Sequence, residues 1–148
     1  MTVPAPTFVG FLAFVRRTMG ISTAVLPDSG TVLEDSYALA LETVNRAIRV
    51  SPLNYVKAVY NFAGDALINE APDQTGQTFF ADLREKWNIL DPISGVVASS
   101  GDVSTNQSLV VPEQFSTLTL ADLQQFKTPY GRAYVAIAQQ YGALWGIS

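Results

Sequence analysis

One segment, residues 52–71, constrains the fold of this 148-residue chain more than any other. Ser51 and Pro52 resemble a helix start, because proline at the first helical position has the backbone angle that a helix needs and lacks only an N–H that would be unbonded there. Apolar residues then recur at helical spacing as far as Leu67, and Pro72 ends the pattern. The sequence therefore predicts a helix from Pro52 to about Ala71 with a narrow packing seam, which consists of Leu53, Val56, Tyr60, Ala63 and Leu67.

Helical spacing of apolar residues and capping residues at the expected ends predict further helices. They run from Thr7 as cap to Met19, from a Thr31–Glu34 capping box to about Arg49, from Thr78 to about Asn88, over Leu120–Phe126, and from Pro129, capped by Thr128, to Tyr141. Their apolar faces predict the following core residues: Leu12, Val15, Leu41, Val44, Val56, Tyr60, Ala63, Leu67, Leu83 and Val135.

Residues 89–118 have almost no helical period and contain several prolines and glycines. Two runs of good β-formers flank a polar centre, which predicts a β-hairpin or an extended arm. We expect this arm to become ordered by pairing with a neighbouring subunit. Its proposed contact residues are Val96, Val97, Asp102, Leu109 and Val110. The oxygen-bearing run 102–106 lacks the acidic density of a calcium loop, so a turn is the better interpretation.

The C-terminal tail, residues 142–148, is apolar and follows a helix that is rich in tyrosine. Tyrosine and tryptophan are favoured anchors of protein interfaces, and they are also common in cores. For Tyr130, Tyr134, Tyr141 and Trp145 the sequence leaves both roles open. The predicted partner interface consists of Tyr130, Tyr134, Tyr141, Leu144, Trp145 and Ile147. We expect the tail to dock on another protein.

These patterns predict a mainly α fold: a small helical bundle with a long extended arm or β-hairpin and an exposed C-terminal tail. We expect a single domain over residues 1–148, with the bundle at about 7–88 and 119–141, the arm at about 89–118 and the tail at 142–148. Charged residues make up only 15% of the chain, against about 25% in typical domains. A surface that is poor in charge leaves more area for contact with other subunits.

The residue types present exclude several kinds of chemistry. The chain has no cysteine and no histidine, which removes disulfides, Cys-based zinc sites and the commonest general base. The remaining catalytic candidates are carboxylates on predicted helices, which we expect to be solvated: Glu34, Asp35, Glu42, Asp65 and Glu70. We therefore predict no enzymatic activity and no cofactor or metal.

Charge and hydropathy also limit the partners. The net charge is −4, and the nine basic residues are scattered, so we expect no tight binding to nucleic acid. The apolar stretch Phe8–Val15 is far shorter than the ~20 residues that a membrane-spanning helix needs, and we expect no membrane association. The N-terminus lacks the pattern of a signal peptide, which predicts synthesis in the cytoplasm.

Three segments resemble the head–tail connector adaptor proteins, also called head-completion proteins, of tailed bacteriophages. They are Tyr55–Ala63, the arm Gly95–Leu109, and Lys127–Tyr134 with its continuation Gln139–Gly142. The resemblance implies a structural virion protein that forms a homo-oligomeric ring, expected to be dodecameric, between the capsid portal and the tail. It also implies a DNA channel within the ring, a portal partner, a tail or nozzle partner, and a location in the virion and, during assembly, in the host cytoplasm.

Three other interpretations remain open at this point. The chain is also compatible with another phage neck or tail-completion protein, with a bacterial helical interaction module, and less well with a small carboxylate-dependent hydrolase. Sedimentation with and without a portal protein separates the assembly interpretations from the enzyme.

Overall fold

The computed structural model describes residues 3–87, 89, 100–101, 106–107 and 127–141. In chain order the elements are α1 (Phe8–Arg17), α2 (Thr31–Thr43), a 3-10 helix (Arg46–Val50), α3 (Pro52–Glu70), α4 (Phe79–Lys86), β1 (Ser100–Gly101), β2 (Asn106–Gln107) and α5 (Pro129–Ala138). The protein is mainly helical, as the sequence predicts.

The helix predicted from Pro52 is confirmed as α3, which begins at Pro52 and ends at Glu70. Its largest contacts are with α5 and α2, which pack against it, and the 3-10 helix, α4 and α1 also contact it. Every residue from 62 to 68 is buried, so this part of the helix is enclosed on all sides. The predicted narrow seam is wrong at Leu53, whose side chain is 56% exposed.

Two of the predicted helix caps are confirmed. The Thr7 hydroxyl accepts a hydrogen bond from the Gly10 backbone N–H at 3.0 Å, and the Thr128 hydroxyl accepts one from Gly131 N–H at 2.9 Å. Both bonds satisfy an N–H group that the first turn of a helix leaves without a backbone partner. The threonines therefore fix where α1 and α5 begin.

The predicted second helix is wrong in two respects. Gly30, and not Thr31, is its N-cap, and no side-chain hydrogen bond forms there, so the expected capping box is absent from this described helix end. The helix also ends at Thr43, because Val44 has an extended backbone conformation. Asn45 then accepts a hydrogen bond from Ala47 N–H at 2.9 Å and starts the 3-10 helix. A short polar side chain that binds the nearby backbone in this way competes with helix continuation.

The core predictions are confirmed for half of the residues. Buried are Val15, Val44, Ala63, Leu67 and Val135. Partly exposed are Leu12, Leu41, Val56, Tyr60 and Leu83. The helical pattern missed Ile21 and Leu26, which lie between α1 and α2 and are nearly fully buried. Loop residues carry no helical period, so a pattern search cannot find them.

The structure does not show the extended arm that the sequence predicts over residues 89–118. Strands β1 and β2 have two residues each and pair antiparallel, with Ser100 opposite Gln107. The other arm residues except Ile89 lie outside the described residues, as do the predicted short helix Leu120–Phe126 and the tail 142–148.

Candidate functional site

A groove of about 380 Å³ lies where the N-terminal lead-in crosses α2 and the start of α3. Residues 3–6 form one wall, and the rest of the lining is Tyr37, Leu41, Arg49, Pro52 and Tyr55. Pro4 and Pro6 favour an extended lead-in, because proline fixes one backbone angle and donates no hydrogen bond. The groove lining is mostly apolar, and apolar concave surfaces are where ligands and partners bind.

Tyr60 on α3 fixes the lead-in in place. Its hydroxyl accepts a hydrogen bond from Thr7 N–H at 3.1 Å and lies 3.3 Å from the Thr7 carbonyl oxygen, to which it donates. Gly10 makes this approach possible, because a Cβ at that position would lie only 2.1 Å from the Tyr60 hydroxyl oxygen. One wall of the groove therefore depends on a glycine in the first turn of α1.

Arg49 is the charged residue of the groove lining. Its guanidinium carbon lies 5.0 Å from the centre of the Tyr55 ring, and its Nη2 donates to the Tyr55 hydroxyl at 3.4 Å. Burial and the neighbouring phenols Tyr60 and Tyr55 raise the pKa of Tyr37, so this wall of the groove stays uncharged. The site is an apolar, aromatic surface with one fixed cation.

Exposed apolar residues occur in the groove wall and next to lining residues in the sequence. Val3 belongs to its wall and is 72% exposed, while Val50 is 81% exposed and follows Arg49 directly in the chain. Leu53, next to Pro52, is also exposed. Scattered exposed apolar residues are ordinary, but Val3 adds exposed apolar area to an apolar groove, and such contiguous area is typical of interaction surfaces.

A buried carboxyl group lies between α3 and α5. Asp65 is 6% exposed, and the Thr128 hydroxyl donates to its Oδ1 at 2.5 Å. The same hydroxyl oxygen accepts the capping bond from Gly131 N–H. Thr128 therefore joins the start of α5 to the middle of α3 through one oxygen atom.

The environment of Asp65 changes its protonation. Burial raises the pKa of its carboxyl group to about 7, although hydrogen bonds with Thr128 and Asn69 act in the opposite direction. A carboxyl group with such a pKa is a candidate acid or base when a substrate can reach it. Asp65 does not line either described pocket, so its contacts support a structural role.

The other candidate carboxylates are exposed, as predicted. Glu34, Asp35 and Glu42 lie on the outer side of α2, and Glu70 lies at the end of α3. The described residues contain no group of three or more acidic, histidine or cysteine side chains that could hold a metal ion.

The predicted interface tyrosines occupy three different environments. Tyr134 is 1% exposed, and its ring meets that of Phe62 edge-on at 5.0 Å, so its prediction as a partner contact is corrected to a core residue. Tyr130 is partly buried with its ring at 6.1 Å from Phe14, and burial raises its pKa. Tyr141 is partly exposed and accepts a hydrogen bond from Asn54 Nδ2 at 2.7 Å.

The remaining predicted contact residues lie outside the described residues. They are Leu144, Trp145 and Ile147 of the tail and Val96, Val97, Asp102, Leu109 and Val110 of the arm. Their roles stay predictions.

Sequence reasoning missed the groove and misjudged Asp65. The groove forms from three chain segments that are distant in sequence, and no local pattern marks it. The position of Asp65 on a predicted helix predicts a solvated carboxylate, but this residue lies within a run of apolar or small residues from Phe62 to Ile68. A helix that is apolar all round is a buried helix, and this signal predicts a buried carboxyl group.

No protein-family model matches this chain, and no match to it is found among the curated proteins or the solved structures. None of the helices in the described part of the chain is long and apolar enough to cross a membrane.

Proposed function

We propose that this protein is a structural virion protein that forms a ring between the capsid portal and the tail of a tailed bacteriophage. The proposal begins from the resemblance of three segments to connector adaptor proteins. In such a ring the subunits surround a DNA channel, and the arm and the tail contact neighbouring proteins. The mainly helical fold agrees with this class of protein.

The observation that supports the proposal best is the packing of two of the three resembling segments against each other. Tyr55–Ala63 lies in α3, and Lys127–Tyr134 forms the cap and first turns of α5. Phe62 contacts Tyr134 across this interface. The two segments therefore act as one structural unit, which is what a shared fold requires.

The surface chemistry also supports an assembly role. Charged residues are scarce in the whole chain, and the described surface carries an apolar groove as well as exposed valine and leucine side chains. The candidate catalytic carboxylates are either exposed on helices or, in the case of Asp65, enclosed between α3 and α5. No observed geometry favours the hydrolase over a binding protein.

Sedimentation velocity tests the proposal with the full chain, alone and mixed with the portal protein of the same source. We expect the chain to co-sediment with the portal as a ring, with annular particles in electron micrographs. A chain that stays monomeric at every concentration and never co-sediments with the portal contradicts the proposal. A control mixture with an unrelated ring protein identifies non-specific adhesion.

A further inference from the structure

We propose that the apolar groove binds the C-terminal tail, residues 142–148, of the same chain when the subunit is free. This inference goes beyond the connector role, because it concerns the isolated subunit and needs no portal. It gives the groove a specific occupant within the molecule.

The first argument is the position from which the tail starts. Asn54 Nδ2 donates to the Tyr141 hydroxyl at 2.7 Å, which fixes the last described residue beside the first turn of α3. Asn54 stands between Pro52 and Tyr55 on that turn, and both of these residues line the groove. Successive residues of an α-helix are rotated by about 100°, so Asn54 lies on a different side of α3 from Pro52 and Tyr55. The tail therefore begins at the same turn of α3 as the groove, and it must pass around the helix to reach it.

The second argument is reach. An extended chain spans at most about 3.3–3.6 Å per residue, so residues 142–148 extend to roughly 23–25 Å. A helix with its side chains is about 10–12 Å across. The tail is therefore long enough to pass around the start of α3 and lie along the groove.

The third argument is chemical complementarity. Apart from Arg49, the groove lining is apolar or aromatic. The tail carries no charged side chain and contains Leu144, Trp145 and Ile147. Tryptophan is also the aromatic side chain that interacts best with a guanidinium group, which the groove supplies.

Tethering decides which copy of the tail occupies the groove. A segment joined by a short linker has an effective concentration in the millimolar range at a site within reach. A second copy at micromolar concentration does not compete with it. The tail of the same chain is therefore the favoured occupant of the free subunit.

A cysteine pair tests this arrangement directly, because the natural chain has no cysteine. Ala5→Cys is placed in the groove wall at an exposed position, and Gly146→Cys is placed in the tail. A disulfide forms only when the two Cα atoms approach to about 4.4–6.8 Å. We expect mild oxidation to give an intrachain bond, seen as a monomer of altered mobility on a non-reducing gel. The matched control combines Gly146→Cys with Ala13→Cys, an exposed position on α1 outside the groove.

Preferential intrachain bonding of the Ala5→Cys pair supports the proposal. Disulfide-linked dimers as the main product indicate a second copy in the groove and overturn it. Equal bonding of the test and control pairs shows a tail without a fixed site and also overturns it. These results concern the isolated chain, so failure to bind a portal has no influence on them.

Tryptophan fluorescence supplies a second readout in a Trp87→Phe background, where Trp145 is the one remaining indole. We expect emission at a shorter wavelength than that of a solvated indole and a several-fold lower acrylamide quenching constant. Ala5→Arg should move both values towards those of free indole, while Ala13→Arg should leave them unchanged. If neither a disulfide nor protected emission is observed, the proposal is wrong.

Discussion

Asp65 controls how stability depends on pH. Its ordinary pKa of 3.8 is raised to about 7 by burial, so the native state keeps the proton across a range where the unfolded state has released it. The native state then binds more protons, and stability falls as pH rises from about 4 to about 7, with no further loss from this group above that. We expect Asp65→Asn to remove this fall and to raise stability at pH 7 by up to a few kcal/mol relative to the native chain. Urea unfolding between pH 4.5 and 8 measures it.

The absence of histidine makes the Asp65 experiment selective. Histidine is the side chain that ordinarily titrates between pH 5 and 8, and this chain has none. Glu70→Gln is the matched control, because Glu70 is an exposed carboxylate on the same helix. It should leave the slope unchanged, whereas an unchanged slope in Asp65→Asn would contradict the assignment.

Gly10 is predicted to tolerate no side chain. Alanine in place of helical glycine usually stabilises by roughly 0.5–1 kcal/mol. Here the new methyl group meets the Tyr60 hydroxyl oxygen, so we expect Gly10→Ala to destabilise by about 1–3 kcal/mol, as overpacking does. Chemical denaturation of both single variants and the double variant forms a cycle. In a Tyr60→Phe background the clash with oxygen is gone, and the cost of Gly10→Ala should fall; an equal cost in both backgrounds contradicts the contact.

At the scale of elements, two threonine caps provide a matched pair. Thr7→Ala removes an exposed cap from α1 and should cost about 1 kcal/mol. Thr128→Ala removes a buried cap from α5 and also the donor to the Asp65 carboxyl group, so we expect about 2–4 kcal/mol at pH 7. Thermal and urea unfolding measure the loss of stability in each variant. Thr128→Ser keeps the hydroxyl group and should restore stability. Equal losses would show that the bond to Asp65 contributes nothing.

The elements also show what the sequence can and cannot predict. α3 and the threonine-capped starts of α1 and α5 are predictable, because proline and threonine determine helix starts through their own chemistry. The end of α2 is not predictable, because the apolar period of the sequence continues to Ile48. The helix nevertheless ends at Thr43, and Val44 and Asn45 have non-helical backbone conformations. The groove and the burial of Asp65 depend on packing between distant segments, which no local pattern contains.

At the scale of the whole molecule, the distribution of positive charge predicts no affinity for duplex DNA. Several of the nine basic side chains make contacts within the chain. Arg16 forms an ion pair with Asp28 and donates hydrogen bonds to loop carbonyl groups. Arg84 donates a hydrogen bond to a carbonyl group at the end of α3, and Lys127 is buried. The guanidinium group of Arg49 lies over the Tyr55 ring. Binding to phosphates needs clustered cations and weakens steeply with salt. Fluorescence anisotropy with labelled duplex should show no binding at physiological salt, and a salt-sensitive micromolar complex contradicts this.

Truncation after Gly142 tests the role of the tail in assembly. Burial of each aliphatic side chain contributes about 1.5–3 kcal/mol, but ordering the tail costs roughly 1–2 kcal/mol per residue for the backbone. The two terms largely cancel, so we expect the truncated chain to lose less than about 2 kcal/mol of its free energy of unfolding. A ring presents many tails at once, and multivalent contact amplifies each weak one. The truncated chain should therefore fold normally and lose co-sedimentation with the portal protein, while Trp145→Ala gives an intermediate loss. A loss of several kcal/mol in the truncated monomer would instead show that Trp145 is a permanent part of the core, too strongly held to be released to a portal, and would refute the docking role.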